Sequence, residues 1–249
     1  MVISKEVVWM VSKYAPKKGL ILDVGCGDFA YTKLIKKTND NVVSLDIEIN
    51  EKNYSKETHF VIGVIEKLPF KNEYFDFIVC LSVIELIEDD SSVFKELYRV
   101  LKSNGRLLIT IPTLRSPFRL LRELELKFGI YAYPEFNVSF YHYYTKKDIL
   151  KLSEHFKLLD IYGYQYNFFP RLIKLIVDLT KINLFLNNVR DRLIFLKTIF
   201  WNTNSEGLHC SKEISEKCDD MPLLFKIGHE RDILMDLSYH YIVVLEKNT

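Results

Sequence analysis

"ILDVGCGDFAYT", residues 21–32, sets two glycines and two aspartates directly behind an apolar run. A strand-length run that ends in Gly25-Cys26-Gly27 and continues as Ala30-Tyr31-Thr32 reads as a strand entering a helix through a turn with little side chain. Three uses of such a turn compete: an ordinary tight βα connection, a cradle for a dinucleotide, and a site for a cofactor that is partly cationic. Gly25 to Ala30 matches G-x-G-x-x-A, the dinucleotide fingerprint. Asp46 follows roughly 20 residues on, at the end of the next strand, where an acid holds ribose hydroxyls. Glycine at these positions lets a ligand approach the backbone. Asp23 separates the last two readings, because a carboxylate two residues before the first glycine directs like charge at the place of a pyrophosphate. It suits a ligand carrying an ammonium and a sulfonium.

Outward from this turn the chain alternates. Strand-length apolar runs lie at 20–24, 41–46, 59–63, 75–81 and 106–111, and helical spacing appears at 5–15, 31–37 and 91–102. In the last of these, Val93, Phe94, Leu97, Val100 and Leu101 form one stripe while Lys95, Glu96, Arg99 and Lys102 face elsewhere. Runs that are apolar on both faces, alternating with amphipathic helices, predict a parallel sheet covered on two sides. Ser103-Asn104-Gly105 reads as the stop of the third helix. Beyond Pro112 lies an aromatic-rich stretch, with Tyr131, Tyr133, Phe136, Phe140, Tyr141, Tyr143 and Tyr144. Thr145-Lys146-Lys147-Asp148 then forms a capping-box pattern that opens a helix to about residue 156. A strand at 158–164, a helical insert at 166–236 and a last strand at 239–246 complete the reading.

The 249 residues are 48% hydrophobic, enough for one substantial core carrying an elaboration, and we read 1–249 as a single domain. The 34 basic and 33 acidic side chains leave a formal charge of +1, so no global field favours nucleic acid. The start lacks the pattern of a secretory signal, no stretch of about 18 uncharged apolar residues occurs, and the four cysteines are few. A cytoplasmic protein with reduced thiols is the expectation.

LDVGCG (22–27), SLDI (44–47), EKLPF (66–70), FDFIVCLSVIE (75–85) and ELYRVLKSNGRLLITIP (96–112), in this order, resemble the class I S-adenosylmethionine-dependent methyltransferases, in particular the small-molecule subgroup related to quinone-biosynthesis methyltransferases. The resemblance implies an α/β, doubly wound, mostly parallel seven-stranded sheet of Rossmann-like type, its last strand antiparallel, and S-adenosylmethionine as cofactor. It further implies that Asp23 orients the methionine end of the donor, that Gly25, Cys26 and Gly27 let it lie on the backbone, and that Asp46 binds the ribose. Ile47 packs on the adenine, Val64 and Ile65 border the adenine edge, and Leu81 with Ser82 line the methionine tail. Three positions depart from the pattern. The usual third glycine falls at Phe29, an acid that hydrogen-bonds the adenine amino group is replaced by Val64, and the histidine that follows position 85 is Leu86.

Methyl transfer needs alignment above all, so a catalytic side chain is optional. His142, in "FYHYYT", is the candidate base toward a hydroxyl acceptor, its alternative being a structural histidine bonded to a loop carbonyl. Glu85, beyond the fourth strand, either polarises the acceptor or caps or pairs with a neighbouring helix. The aromatics of 131–144 either wall the pocket, with cation–π contact to the methyl group, or simply pack. His209, Cys210, Cys218 and His229 have the types of zinc ligands without their spacing, and no metal is expected. Residues 168–201 combine two apolar stretches with a narrow charged stripe. They read as a face buried on the core, a lid, a homodimer contact, or a peripheral membrane contact near a lipid-linked acceptor.

The reading is an S-adenosylmethionine-dependent methyltransferase acting on a small-molecule acceptor, sugar-, quinone- or lipid-like. Its rivals are an NAD-binding oxidoreductase and a non-catalytic scaffold with a degenerate cofactor site.

Overall fold

The computed structural model describes residues 4–113, 141–164 and 240–249. The expected insert at 166–236, the stretch 168–201, the aromatics before Tyr141 and the candidate metal ligands His209, Cys210, Cys218 and His229 lie outside the described residues.

Seven strands form one sheet: β1 (Ile21–Val24), β2 (Val42–Asp46), β3 (His59–Ile62), β4 (Phe75–Leu81), β5 (Leu101–Pro112), β6 (Phe156–Tyr164) and β7 (His240–Lys247). Their order is β3-β2-β1-β4-β5-β7-β6. β1 pairs in parallel with both β2 and β4, so the chain first builds outward in one direction and then returns to build in the other. β7 slots between β5 and β6 and runs antiparallel to each, as the resemblance implies.

The two faces are covered as the alternation predicts. On one, Val7, Met10 and Val11 of α1 (Lys5–Tyr14) and Tyr31 and Ile35 of α2 (Ala30–Ile35) pack on Ile21, Val42, Phe77, Val79, Leu108, Ile242 and Val244. On the other, Val93, Phe94, Leu97 and Val100 of α3 (Asp90–Val100) and Ile149 of α4 (Lys146–Leu152) join Leu22, Val24, Ile78, Cys80, Leu107, Ile109, Val243 and Leu245. Strands buried on both faces carry little polarity, which is why the runs look continuous rather than alternating. Among the described residues no helix is long and apolar enough to cross a membrane.

Two boundaries differ from the sequence reading. α3 ends at Val100, because Leu101 already pairs with Phe75, and both residues are fully buried. Ser103-Asn104-Gly105 is therefore not a helix stop. It belongs to a bulge between the Phe75–Leu101 and Phe77–Arg106 pairs, where Asn104 takes φ 60°. Likewise the capping box at Thr145 and Asp148 forms as expected, yet α4 closes at Leu152 instead of running to 156. Phe156 opens β6, pairing with Lys247, so a sheet contact ends the helix early.

Candidate active site

The crevice lies beyond the carboxyl ends of β1 and β4, where the direction of sheet building reverses, the usual place for ligands in open α/β sheets. β1 delivers Gly25 at φ 69° and Gly27 at φ 53°. A Cβ on Gly25 would stand 2.2 Å from Cγ2 of Val83 in the loop after β4, whereas a Cβ on Gly27 would meet no atom of the described residues within 4 Å. The first glycine thus brings the two loops together. The second leaves open space.

Hydrogen bonds fix this turn internally. The N–H groups of Gly25 and Cys26 both donate to the Leu45 carbonyl, at 2.7 and 3.2 Å. Gly27 N–H donates to Asp46 Oδ2 at 2.8 Å, and Ile47 N–H donates to Asp46 Oδ1 at 2.7 Å. Three amides of the turn are consequently committed and none of these is left to cradle a pyrophosphate. Cys26 is buried, and burial beside Asp23 and Asp46 keeps its thiol protonated and inert.

Asp23 is buried to 2% exposure, and burial, with Asp46 and Asp28 nearby, pushes its carboxyl up to about 6. Its Oδ2 accepts the Thr32 hydroxyl at 2.5 Å. An environment with so much negative charge favours a cation and disfavours an anion. Beside the turn, Ile47 (69% exposed) and Val64 (49% exposed) present apolar surface at the ends of β2 and β3, while Ile65 is buried in the short 3-10 turn Ile65–Lys67. Across the crevice, Leu81 ends β4 and Ser82 turns the chain at φ 55°, its N–H donating to Thr110 Oγ1 at 2.9 Å.

Phe29, standing at the usual third glycine, adopts φ 61°, a left-handed conformation that costs a non-glycine residue about 1–2 kcal/mol. Its ring, 1% exposed, packs edge-on against Phe60 at 5.5 Å and near Tyr54 at 6.0 Å. That aromatic contact offsets the strain.

The acceptor-side candidates come together around the 3-10 turn Ile84–Leu86. Glu85, 1% exposed, neither caps a helix nor enters an ion pair among the described residues. Its Oε2 has no hydrogen-bond partner among the described residues, and burial pushes the carboxyl up to about 8. Residues 141–144 cross this turn. Tyr141 N–H donates to the Glu85 carbonyl, His142 Nε2 bonds the Glu88 carbonyl at 2.9 Å, and Tyr144 N–H donates to Pro112 O. His142 therefore takes the loop-carbonyl bond foreseen for a structural histidine. A carbonyl only accepts, so Nε2 carries the proton and Nδ1 the lone pair.

Thr32, Ser44 and Val83 are not among the site residues expected from sequence. A threonine on the buried Tyr31–Ile35 face of α2 and a serine inside VVSLD were the available signals, since lone hydroxyls in apolar surroundings require partners.

Residues 22–109 match the family of methyltransferase domains. An uncharacterised protein of Methanocaldococcus jannaschii is 32% identical over 111 residues, 44% of this chain and 48% of its own. The demethylmenaquinone methyltransferase of Thermotoga maritima is 34% identical over 110 residues, 42% of this chain and 48% of its own. The chain thus spans about half the length of the curated relatives it matches. A solved SAM-dependent methyltransferase structure from Methanosarcina mazei superposes with a TM-score of 0.56 at 16% identity, covering 96% of this chain and 97% of that one, a likeness of fold.

Proposed function

We propose that the chain transfers a methyl group from S-adenosylmethionine to a small-molecule acceptor. One observation carries the reading: a turn whose amides are already committed, walled by Asp23, Asp28 and Asp46, with open space at Gly27. These residues fit a cationic nucleoside and not a dinucleotide. Asp23, Gly25, Cys26 and Gly27 would hold its methionine end with Leu81 and Ser82. Asp46 would hold the ribose, and Ile47, Val64 and Ile65 the adenine. The bound donor supplies a methyl carbon already activated by its positive sulfur. The protein's share is then to align the acceptor, an effect worth about 7–11 kcal/mol in model reactions.

Calorimetry of the purified chain tests this directly. S-adenosylhomocysteine is expected to bind and NAD to give no heat. The opposite result, or silence toward both, removes the reading in favour of an oxidoreductase or a scaffold.

The demethylmenaquinone and quinone relatives support an acceptor of hydroquinone type, with lipid- or sugar-like alcohols in the same chemical range. In this site Glu85 acts as a neutral acid that donates a hydrogen bond to an acceptor oxygen, and His142 Nδ1 serves as base where that acceptor is a hydroxyl. With a truncated demethylmenaquinol as probe, turnover is expected to fall as pH rises through about 8, where the acid ionises. Glu85→Gln should keep turnover and lose that fall. Glu85→Leu should lose about ten- to a hundredfold in turnover while still binding S-adenosylhomocysteine, the measure of one hydrogen bond to a developing charge.

A further inference from the structure

We propose that Thr32 and Ser44 are positioning residues for the donor: a buried relay of two hydroxyls that clamps one oxygen of Asp23 and leaves the carboxylate to face the donor's cationic end. The role rests on the donor reading above.

The relay is built from three elements. Asp23 of β1 and Ser44 of β2 are register partners across the parallel ladder, so their side chains stand beside each other on one face of the sheet. Thr32, in the first turn of α2, comes down onto that face with no exposed surface, as does Ser44. Thr32 Oγ1 lies 2.5 Å from Asp23 Oδ2 and 2.9 Å from Ser44 Oγ. A carboxylate only accepts, so the single Thr32 proton goes to Asp23, and Ser44 must donate to Thr32. The direction of the chain is therefore set: Ser44 to Thr32 to Asp23.

Among the described residues, the ionisable groups that act on Asp23 are Asp28 and Asp46, and those that feel its charge in turn are Cys26, Tyr31 and Cys80. None is a cation. Burial and the two neighbouring carboxylates oppose ionisation, and the Thr32 hydroxyl is the side-chain partner that favours it. A carboxylate stabilised by a hydroxyl dipole rather than by a fixed cation keeps its charge uncompensated. An arginine in that place would hold Asp23 ionised and also cancel the attraction for the ligand. Ser44 polarises Thr32 and strengthens its bond to Asp23. The Thr32 backbone N–H also bonds this carboxyl, and a carboxylate with about four lone-pair sites keeps acceptor capacity for the ligand.

The test reads Asp23 itself and then the donor. Carbon-13 NMR titration of the Asp23 carboxyl in the ligand-free protein is expected to give a midpoint about one pH unit higher in Thr32→Val than in the unaltered chain. Ser44→Ala should move it the same way by less, and Thr32→Ser should restore it. Calorimetry with S-adenosylmethionine should then show Thr32→Val binding about tenfold more weakly near pH 5, about twofold more weakly near pH 7, and equally in alkali, one pH unit of midpoint being a factor of ten below both midpoints. A hydroxyl that served packing alone would shift neither midpoint nor pH profile. If Asp23 titrates unchanged in Thr32→Val, or if binding in that variant follows the original pH profile, the relay is overturned while the donor reading stands. If the unaltered chain fails to bind S-adenosylmethionine at every pH, the donor reading falls and the role falls with it.

Discussion

Alanine at Gly27 is expected to leave the protein folded and to empty its donor site, whereas alanine at Gly25 is expected to damage the fold itself. Both glycines sit at positive φ, and each substitution carries about 1–2 kcal/mol of left-handed strain. At Gly27 little else is lost, since the new methyl meets no atom of the described residues. It occupies the space that the donor needs, and S-adenosylhomocysteine affinity should fall at least tenfold while the melting temperature moves by a few degrees. At Gly25 the methyl would enter Val83, a short branched side chain with little freedom to withdraw. Overpacking adds about 1–3 kcal/mol to the strain. Thermal unfolding of the two variants beside ligand calorimetry separates the cases. A Gly27→Ala protein that binds as tightly as the original would show that the donor does not use this space.

Asp23→Asn should make the protein more stable and less able to bind its donor. In the folded chain burial raises the Asp23 carboxyl from 3.8 to about 6. A raised carboxyl contributes stability that is fully present below the unfolded value of 3.8 and is lost as pH rises through about 6. Two units correspond to about 3 kcal/mol, charged against the native state at neutral pH. Asparagine still accepts the Thr32 hydroxyl and never ionises. Its melting temperature should therefore exceed that of the original above pH 6 and match it more closely in acid. Donor affinity should change in the opposite sense, rising through about pH 6 in the original and staying flat and weak in the variant. Equal melting temperatures at pH 8 would mean that the Asp23 carboxylate is better solvated than its burial implies. On the proposed reading, a destabilising charge is kept for the sake of the donor.

Much of the architecture was legible because it rests on local signals. The strand-glycine-helix sequence at 21–32, the apolar stripe of α3 and the capping box at Thr145 each declare themselves within a dozen residues. Ends of elements were less legible where a distant partner sets them. Leu101 leaves its helix for Phe75, and Phe156 leaves its own for Lys247, contacts that no window along the chain contains. The same limit applies to the site. Asp23, Gly25, Gly27 and Asp46 stand close in sequence to the turn they serve. The Val83 contact, the orphaned Glu85 oxygen and the Ser44–Thr32 relay arise only when strands and loops are brought together. His142 was suggested by residue type, but the Glu88 carbonyl that holds its Nε2 lies 54 residues away in the chain and could not be read from sequence.

Two ladder contacts close long excursions of the chain at the crevice end of the sheet. Tyr164 and His240 pair on the first rung of β7, and Thr113 bridges to Tyr144. Closing a flexible loop costs entropy that grows slowly with its length, about 0.6 kcal/mol for each doubling, so even a fifteenfold difference in length amounts to some 2–3 kcal/mol. A difference of that size is smaller than many single core substitutions. The strand ladder can consequently tolerate changes in the length of chain between residues 113 and 144 or 164 and 240 while its own register stays intact.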